Sequence, residues 1–583
     1  MSATSPEHLL DGLDEQQREA AEALLGPVCM LAGAGTGKTR AITHRIAYGV
    51  ASGVYPPGRV MALTFTTRAA GELRARLRTL GASGVAARTF HASALAQLNF
   101  FWPQVVGGTM PKLLESKGRL LAHAADTVRL KLDTATLRDA AAEIEWRKVS
   151  RLSIEQYAAS GRALPPTLTI EKVTDLQQAY ENLKDDRRQL DFEDVLLAAA
   201  GMIEVEPRVA QQVREQYRFF VVDEYQDVSP LQHDLLTLWL GERNDVCVVG
   251  DASQTIYSFA GASPDYLLGF AAEHDDAVVV RLEQNYRSTP PIIDVANRLM
   301  RGRPGALSLH AADAKQQANQ HANQQGGQQG GQQGEQQRAP APEVHAAHND
   351  SAEARSIANA IVAEIAAGTA AENIAVLYRI NVQGTAIEAA LGDAGVSFRL
   401  RNATRFFDLP EIKQALMLLR GASVTTASEP LFKTVSDVLR SLGWTQEAPE
   451  VRGAVRDRWD SLNAVMTLAE QAAPATGLRD FVDDLFERQA GQHEPSRSAV
   501  TLSTIHAAKG LEWDSVYIAG LSEGLLPISY AKDEAAIDEE RRLLYVGVTR
   551  ARTRLCLSWA KSSSGQSSSG QRRPSRFLAD LER

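Results

Sequence analysis

The chain has 583 residues, of which 44% are hydrophobic and 23% charged, with a formal net charge of −9. Such a length exceeds what one hydrophobic core supports and calls for three or four structural units of roughly 100–200 residues. The negative balance excludes a polycation that clings to nucleic acid by bulk charge, so any nucleic-acid binding must be local. Cys29, Cys247 and Cys556 lie far apart with no CxxC pair, which argues against a disulfide framework and a zinc site. No apolar run approaches the roughly 18 residues that span a bilayer, and the start, MSATSPEHLLDGLDEQQREA, lacks the basic and apolar regions of a secretory signal. A cytoplasmic protein with no membrane partner is expected.

In chain order, short apolar runs lead directly into polar motifs: GPVCMLAGAG, RVMALTFTT, YRFFVVDEYQD, DVCVVGDASQ, ENIAVLYRIN and WDSVYIAGLSEG. Continuous aliphatic runs without alternation suit strands buried on both faces of a parallel sheet, with functional residues at their carboxyl ends. Helical stretches such as TRAAGELRARLRTL supply the covering layers. The pattern predicts doubly wound α/β architecture with more strands than one sheet holds. Two segments interrupt it. Lys315 to Arg338, followed by APAP, is Gln/Gly/Asn-rich with nothing apolar larger than alanine, and a disordered loop over 315–342 is expected. KSSSGQSSSGQRRP reads the same way, whereas the following SRFLADLER regains amphipathic helical spacing and is expected to dock back.

The run Ala32-Gly33-Ala34-Gly35-Thr36-Gly37-Lys38-Thr39 follows a strand and opens a helix, as a phosphate-binding loop must. Its glycines let backbone N–H groups wrap phosphates, and the helix N-terminus adds partial positive charge. Lys38 is expected on the β and γ phosphates and Thr39 on Mg²⁺. FFVVDEYQD supplies the complementary acids: Asp223 to hold the metal and Glu224 to polarise water. ATP and Mg²⁺ are the cofactors this pair of motifs implies.

These residues resemble the superfamily 1 DNA helicases of the UvrD/Rep/PcrA type, in order over nearly the whole chain. LDEQQREA resembles the adenine-reading motif, with Gln17 on the base, and AGAGTGKTR, through Arg40, the phosphate loop. VVGDASQTIYSFAGA resembles the motif whose glutamine, here Gln254, senses the γ-phosphate; RLEQNYRST implies Tyr286 stacked on adenine and Arg287 on the γ-phosphate. TLSTIHAAKGLEW and EERRLLYVGVTRAR assign Glu512 to the nucleotide and Arg550 to the transition state. The resemblance implies two RecA-like motor domains, 1–100 with 185–285 and 286–394 with 496–583, each carrying a mainly helical inserted subdomain, 101–184 and 395–495. The second insertion is shorter than the family's. An arginine brought by the second domain contributes roughly 10³–10⁵ in rate, about 4–7 kcal/mol of barrier.

Single-strand binding without sequence preference needs aromatic faces and a few phosphate contacts. By resemblance Phe65, Thr66, Thr89, Phe90, His91, Tyr257, Phe259 and His506 lie in DNA-facing motifs, Phe259 standing where the family usually has tryptophan. For each aromatic the alternative is core packing, and for His91 and His506 a structural histidine. The implied activity is 3′-to-5′ DNA unwinding coupled to ATP hydrolysis, in DNA repair or replication restart. An ATP-driven clamp or stripping protein that translocates without separating strands stays open, because the chain stops soon after SRFL where longer members extend; a helicase–nuclease subunit would need a further domain. The expected partners are single-stranded and 3′-tailed DNA and a repair or loading protein, with the chain a monomer or weak dimer.

Overall fold

The computed structural model describes residues 5–312 and 340–581, except 115, 163, 165–167, 402–406, 408, 426–429, 448–453, 473–476, 492–498 and 564–570. The expected loop at 315–342 therefore lies outside the described residues as far as 339, as does the centre of the Ser-rich segment. The chain divides into two compact units, one made of the described residues of Met1–Tyr286 and Met300–Gln329, the other of Arg287–Leu299 and the described residues of Gly330–Arg583. Both are RecA-like, each an all-parallel six-stranded sheet covered by helices.

In the first unit the strands are β1 (Val28–Ala32), β2 (Val60–Thr64), β3 (Ala86–Thr89), short β4 (Lys112–Leu113) and β5 (Gln189–Leu190), β6 (Phe219–Val222), β7 (Val246–Gly250), β8 (Val278–Leu282), and short β9 (Gln284–Asn285) and β10 (His310–Ala311). The main sheet runs β3-β2-β6-β7-β1-β8, with Leu63 beside Val222 and Met30 beside Val249. Successive residues feed opposite cores. Cys29, Met61, Leu63, Phe220, Val222 and Val248 face one helical layer, whereas Val28, Met30, Val60, Ala62, Val221 and Val249 face the other. That double burial is why these strands read as unbroken apolar runs.

Helices of this unit begin on side-chain caps at strand or loop ends, among them those capped by Asp14, Thr66, Thr89 and Asp191, which each accept from a backbone N–H three residues on. A helical layer built from Lys117–Thr127, Thr134–Val149 and Ile170–Arg187 has its own core around Tyr157, Tyr180, Leu121 and Leu176. The sequence placed residues 286–394 together in the second domain, yet Tyr286 and the described residues from Met300 to 312 cluster with the first. The cause is local, since β10 pairs with β9 and leaves the intervening helix alone in the second unit.

The second unit carries β11 (Glu343–Ala347), β12 (Ile374–Tyr378), β13 (Phe398–Leu400), β14 (Val500–Thr504), β15 (Trp513–Ile518) and β16 (Ala551–Ala560), in the order β11-β16-β15-β12-β14-β13. A separate helical core gathers Ile412, Leu419, Leu439, Trp444, Val465 and Phe481. The final helix, Arg576–Leu581, buries Phe577, Leu578 and Leu581, and Arg541 lies over the Phe577 ring at 4.9 Å while pairing with Asp580 at 2.6 Å. Among the described residues no helix is long and apolar enough to cross a membrane.

Candidate active site

β1 ends at Ala32 and the chain turns through Gly33 to Gly37 into the helix Lys38–Ala51. Gly35 and Gly37 take φ of +71° and +78°, values that side chains resist, and Gly37 is the helix N-cap with no side-chain cap bond. A Cβ on Gly33 would lie 2.3 Å from a Leu309 methyl, which would have to move to admit a side chain. The loop is held from outside as well as within. Thr36 Oγ1 donates to Gly33 O at 2.9 Å, Asn285 Nδ2 to Ala34 O at 2.6 Å and the Tyr286 N–H to Gly35 O at 2.9 Å. Gln17, fully buried, completes a capping box with Asp14 and donates its amide to Thr36 O at 2.9 Å. Tyr286 closes the ring by donating its phenol to Asp14 at 2.6 Å, and burial together with that carboxylate raises the phenol's pKa. Arg40 reaches back to Gly12 O at 2.9 Å.

β6 delivers Asp223 and Glu224 beside this loop. The Asp223 N–H bonds Leu63 O at 2.9 Å, and Asp223 Oδ1 accepts from the Glu224 N–H at 3.0 Å. Glu224 adopts φ +55°, a left-handed conformation uncommon outside glycine, which turns its side chain back to within 3.6 Å of Lys38 Nζ. Gln226 then links two strands: its Nε2 donates to Glu224 Oε2 at 2.5 Å and its Oε1 accepts from the Asp251 N–H at 3.0 Å. Asp251 in turn accepts from Gln254 Nε2 at 2.8 Å. Gly250 makes room for the relay, because a Cβ there would meet Gln226 Oε1 at 2.4 Å and Leu267 at 2.8 Å. Lys38, Glu224, Gln226, Asp251 and Gln254 thus form one continuous polar chain. Sequence reasoning assigned roles to four of these neighbours, Lys38, Asp223, Glu224 and Gln254, and none to Gln226, although it stands inside DEYQD.

The remaining nucleotide candidates lie in the second unit, where Arg287, Glu512 and Arg550 come together. Arg287 pairs with Glu512 through Nε and donates from Nη1 to Thr549 O at 3.2 Å. Arg550 donates from Nε to Val546 O at 3.0 Å, from Nη1 to Leu511 O at 3.0 Å and from Nη2 to Thr549 Oγ1 at 3.2 Å.

The aromatic candidates divide. Phe65 and Phe259 are 40% and 58% exposed, and Tyr257 packs edge-on against Phe259 with centroids 6.1 Å apart, its phenol pushed up to about 12 by burial. Phe90 does not belong with them: it is buried in the first unit's core, stacked on Trp239 at 5.8 Å, and presents no face to a strand of DNA. Thr66 and Thr89 spend their hydroxyls on helix caps, each accepting from a backbone N–H at 3.1 Å. His91 meets the edge of Phe192 at 5.7 Å, and burial lowers its imidazole to about 4. Phe192, 54% exposed and the first residue of its helix, was not among the sequence candidates, although it is an aromatic set between acids in LDFED. His506, in the second unit, is lowered to about 4 by burial and then by Arg379 and Lys509. Among the described residues Glu343, His345 and Cys556 could converge on a metal, but Arg554 already pairs with Glu343 there at 3.1 Å.

Residues 13–275 match the UvrD/REP helicase N-terminal domain, and residues 280–448 and 446–562 match the UvrD-like helicase C-terminal domain. The chain is 45% identical to the ATP-dependent DNA helicase UvrD2 of Mycobacterium tuberculosis over 98% of its own length and 81% of that protein. It is 30% identical to DNA helicase II of Escherichia coli, covering 98% of this chain and 88% of the relative, and 26% identical to the ATP-dependent DNA helicase PcrA of Bacillus subtilis, covering 98% and 86%. On both the domain matches and the full-length relatives, the chain belongs to the UvrD/REP helicase family.

Proposed function

We propose that this chain is an ATP-driven motor that moves 3′ to 5′ along single-stranded DNA and separates 3′-tailed duplexes. The observation that carries the reading is the polar chain from Lys38 through Glu224, Gln226 and Asp251 to Gln254, which ends three residues before the turn of half-buried Tyr257 and exposed Phe259. A change in what Glu224 and Lys38 bind is thereby felt where a base would stack. Coupling of that kind is what distinguishes a motor from a simple ATPase.

In this reading the backbone of Gly33 to Lys38 wraps the phosphates, Lys38 neutralises the β and γ oxygens, and Glu224 takes the proton of the attacking water. Gln254 reads the γ-phosphate, Tyr286 the adenine face, and Arg287 and Arg550 the charge that develops on transfer. Gln17, expected on adenine, gives one amide hydrogen to Thr36 O and so also braces the loop, leaving its second N–H for the base. Thr39 and Asp223 are hard oxygen donors at a helix start and a strand end, a set that suits Mg²⁺. Held there, the ion would help to neutralise the charge that develops on the phosphates during transfer. Phe65, Phe192, Tyr257 and Phe259 form the stacking track of the first unit, and His91 and His506 meet DNA as neutral imidazoles.

The test is to compare displacement of streptavidin from biotinylated single strands with strand separation of 3′-tailed and 5′-tailed duplexes. Displacement from the 3′-biotinylated end alone, or separation of only the 5′-tailed duplex, would reverse the polarity. Displacement without separation of any duplex would leave a translocase that strips bound proteins.

A further inference from the structure

Four charged side chains of the second unit stand in an alternating row: Arg287, Glu512, Arg552 and Asp514. Glu512 gives one carboxylate oxygen to each arginine, Oε2 to Arg287 Nε and Oε1 to Arg552 Nη2 at 2.6 Å, and Arg552 Nη1 continues to Asp514 at 3.2 Å. All four are half-buried, where such pairs are screened less than on the surface. Burial alone would raise the Glu512 carboxyl, but the two arginines hold it down to about 2.

The backbone is shaped for this row. Along β15 and β16 the pairing steps from Trp513 opposite Ala551 to Ser515 opposite Arg554, so β16 carries one residue more than its partner, and Arg552 sits in that irregularity. Bulges of this sort re-aim a side chain and recur beside active sites. Thr553 Oγ1 fixes the step by donating to Asp514 O at 2.8 Å. Arg287, at the other end of the row, also donates to Thr549 O, immediately before Arg550.

We propose that Arg552 is a positioning residue for ATP turnover, clamping Glu512 so that Glu512 holds Arg287 in fixed relation to Arg550. The inference rests on the reading of Arg287 given above, and neither the motif pattern nor that reading assigns Arg552 a role. A bidentate guanidinium is needed because one end must reach Glu512 while the other is anchored on Asp514, which a lysine ammonium does not do in one geometry.

The experiment is a double-mutant cycle on the full chain with single-stranded DNA present, reading kcat, affinity for a fluorescent ATP analogue, and melting temperature. Arg552→Met, which keeps an apolar stem but no charge, should lower kcat about tenfold with nucleotide affinity held within about twofold, since a displaced contact costs mainly transition-state alignment. Arg552→Lys should fall between. In an Arg287→Ala background, Arg552→Met should cost no further kcat, although it should lower the melting temperature more than in wild type, because Glu512 then loses both arginines. Equal loss of kcat in both backgrounds, or no loss in either, would overturn the clamp. Should Arg287→Ala itself leave kcat unchanged, the reading of Arg287 fails and the clamp with it; a loss there joined to additive Arg552 effects fails the clamp alone. If Arg552→Met does not fold, Arg552→Lys and Asp514→Asn take its place in the same cycle, with the same outcomes supporting or overturning the clamp.

Discussion

Gln226 grips Glu224 with one end of its amide and, with the other, accepts from the backbone of Asp251 on the neighbouring strand. Glu224 is thus aimed by a side chain that sequence reasoning passed over. Gln226→Ala should lower kcat by about 10–100-fold through misplacement of the carboxylate. It should also cost roughly 1–3 kcal/mol of stability, because a buried N–H loses its acceptor. Single-turnover hydrolysis and urea unfolding measure the two effects, and a wild-type rate would remove Gln226 from the mechanism.

Glu224→Gln keeps the side chain's shape and its left-handed backbone, so melting temperature should hold while turnover falls by about 10²–10⁴, the range of a lost general base. Filter binding of labelled ATP should show nucleotide retained. Substantial hydrolysis by this variant would assign the proton to another group.

Phe90, Phe192 and Phe259 separate fold from track. Phe90→Ala should destabilise by about 3–5 kcal/mol, as large-to-small changes in a packed core do. Phe192→Ala and Phe259→Ala should leave melting temperature almost unchanged and weaken single-strand binding by about 1–3 kcal/mol each. Fluorescence anisotropy with a labelled oligonucleotide reads the difference; unaltered affinity in both exposed variants would move the track elsewhere.

The sequence made the two sheets legible because strands buried on both faces leave unbroken apolar runs, and the phosphate loop legible because its glycines, lysine and helix start are contiguous. Phe90 and Phe192 show where that legibility stops. Phe90 lies where a strand passes into a helix and side-chain period changes from 2 to 3.6, so the face it takes is undetermined by pattern. Phe192 acquires its setting from His91, about a hundred positions earlier, a contact that no local pattern encodes. The return of Met300 to 312 to the first unit was hidden for a similar reason, since it depends on a two-residue pairing of β9 with β10.

His91 and His506 give a pH dependence with a definite sign. Both imidazoles are lowered to about 4 in the folded chain, against roughly 6.5 when unfolded. Above pH 6.5 neither state binds the proton and their contribution is neutral. As pH falls from 6.5 toward 4 the unfolded chain takes up protons that the folded chain refuses, and stability is lost across that window. His91→Gln should therefore flatten the fall in melting temperature between pH 7 and pH 5 relative to wild type. Parallel curves would mean that His91 titrates normally.

The most exacting test of packing falls on the buried ionic cluster beneath Phe192. Lys148 donates to Asp191 at 2.8 Å and to Asp194 at 2.7 Å, Lys184 pairs with Glu181 at 2.6 Å and with Asp194, and Tyr180 donates to Asp191 at 3.0 Å. Asp191 is also the N-cap of the helix that Phe192 begins, so the cluster ties that helix to Thr134–Val149 and Ile170–Arg187. Although burial pushes the Asp191 carboxyl up, Lys148 and Lys184 hold it well below its usual range. Removing one partner from such a site leaves uncompensated charge, and Lys148→Met should cost about 3–5 kcal/mol. The second change Asp191→Asn keeps a competent cap and removes one stranded carboxylate, so the pair of substitutions should recover part of the loss. Because Phe192 rides on this helix, single-strand affinity should fall with Lys148→Met and return in step with stability in the double variant. A Lys148→Met protein of wild-type stability, or a double variant no better than the single, would show that the cluster holds neither the helix nor the aromatic face above it.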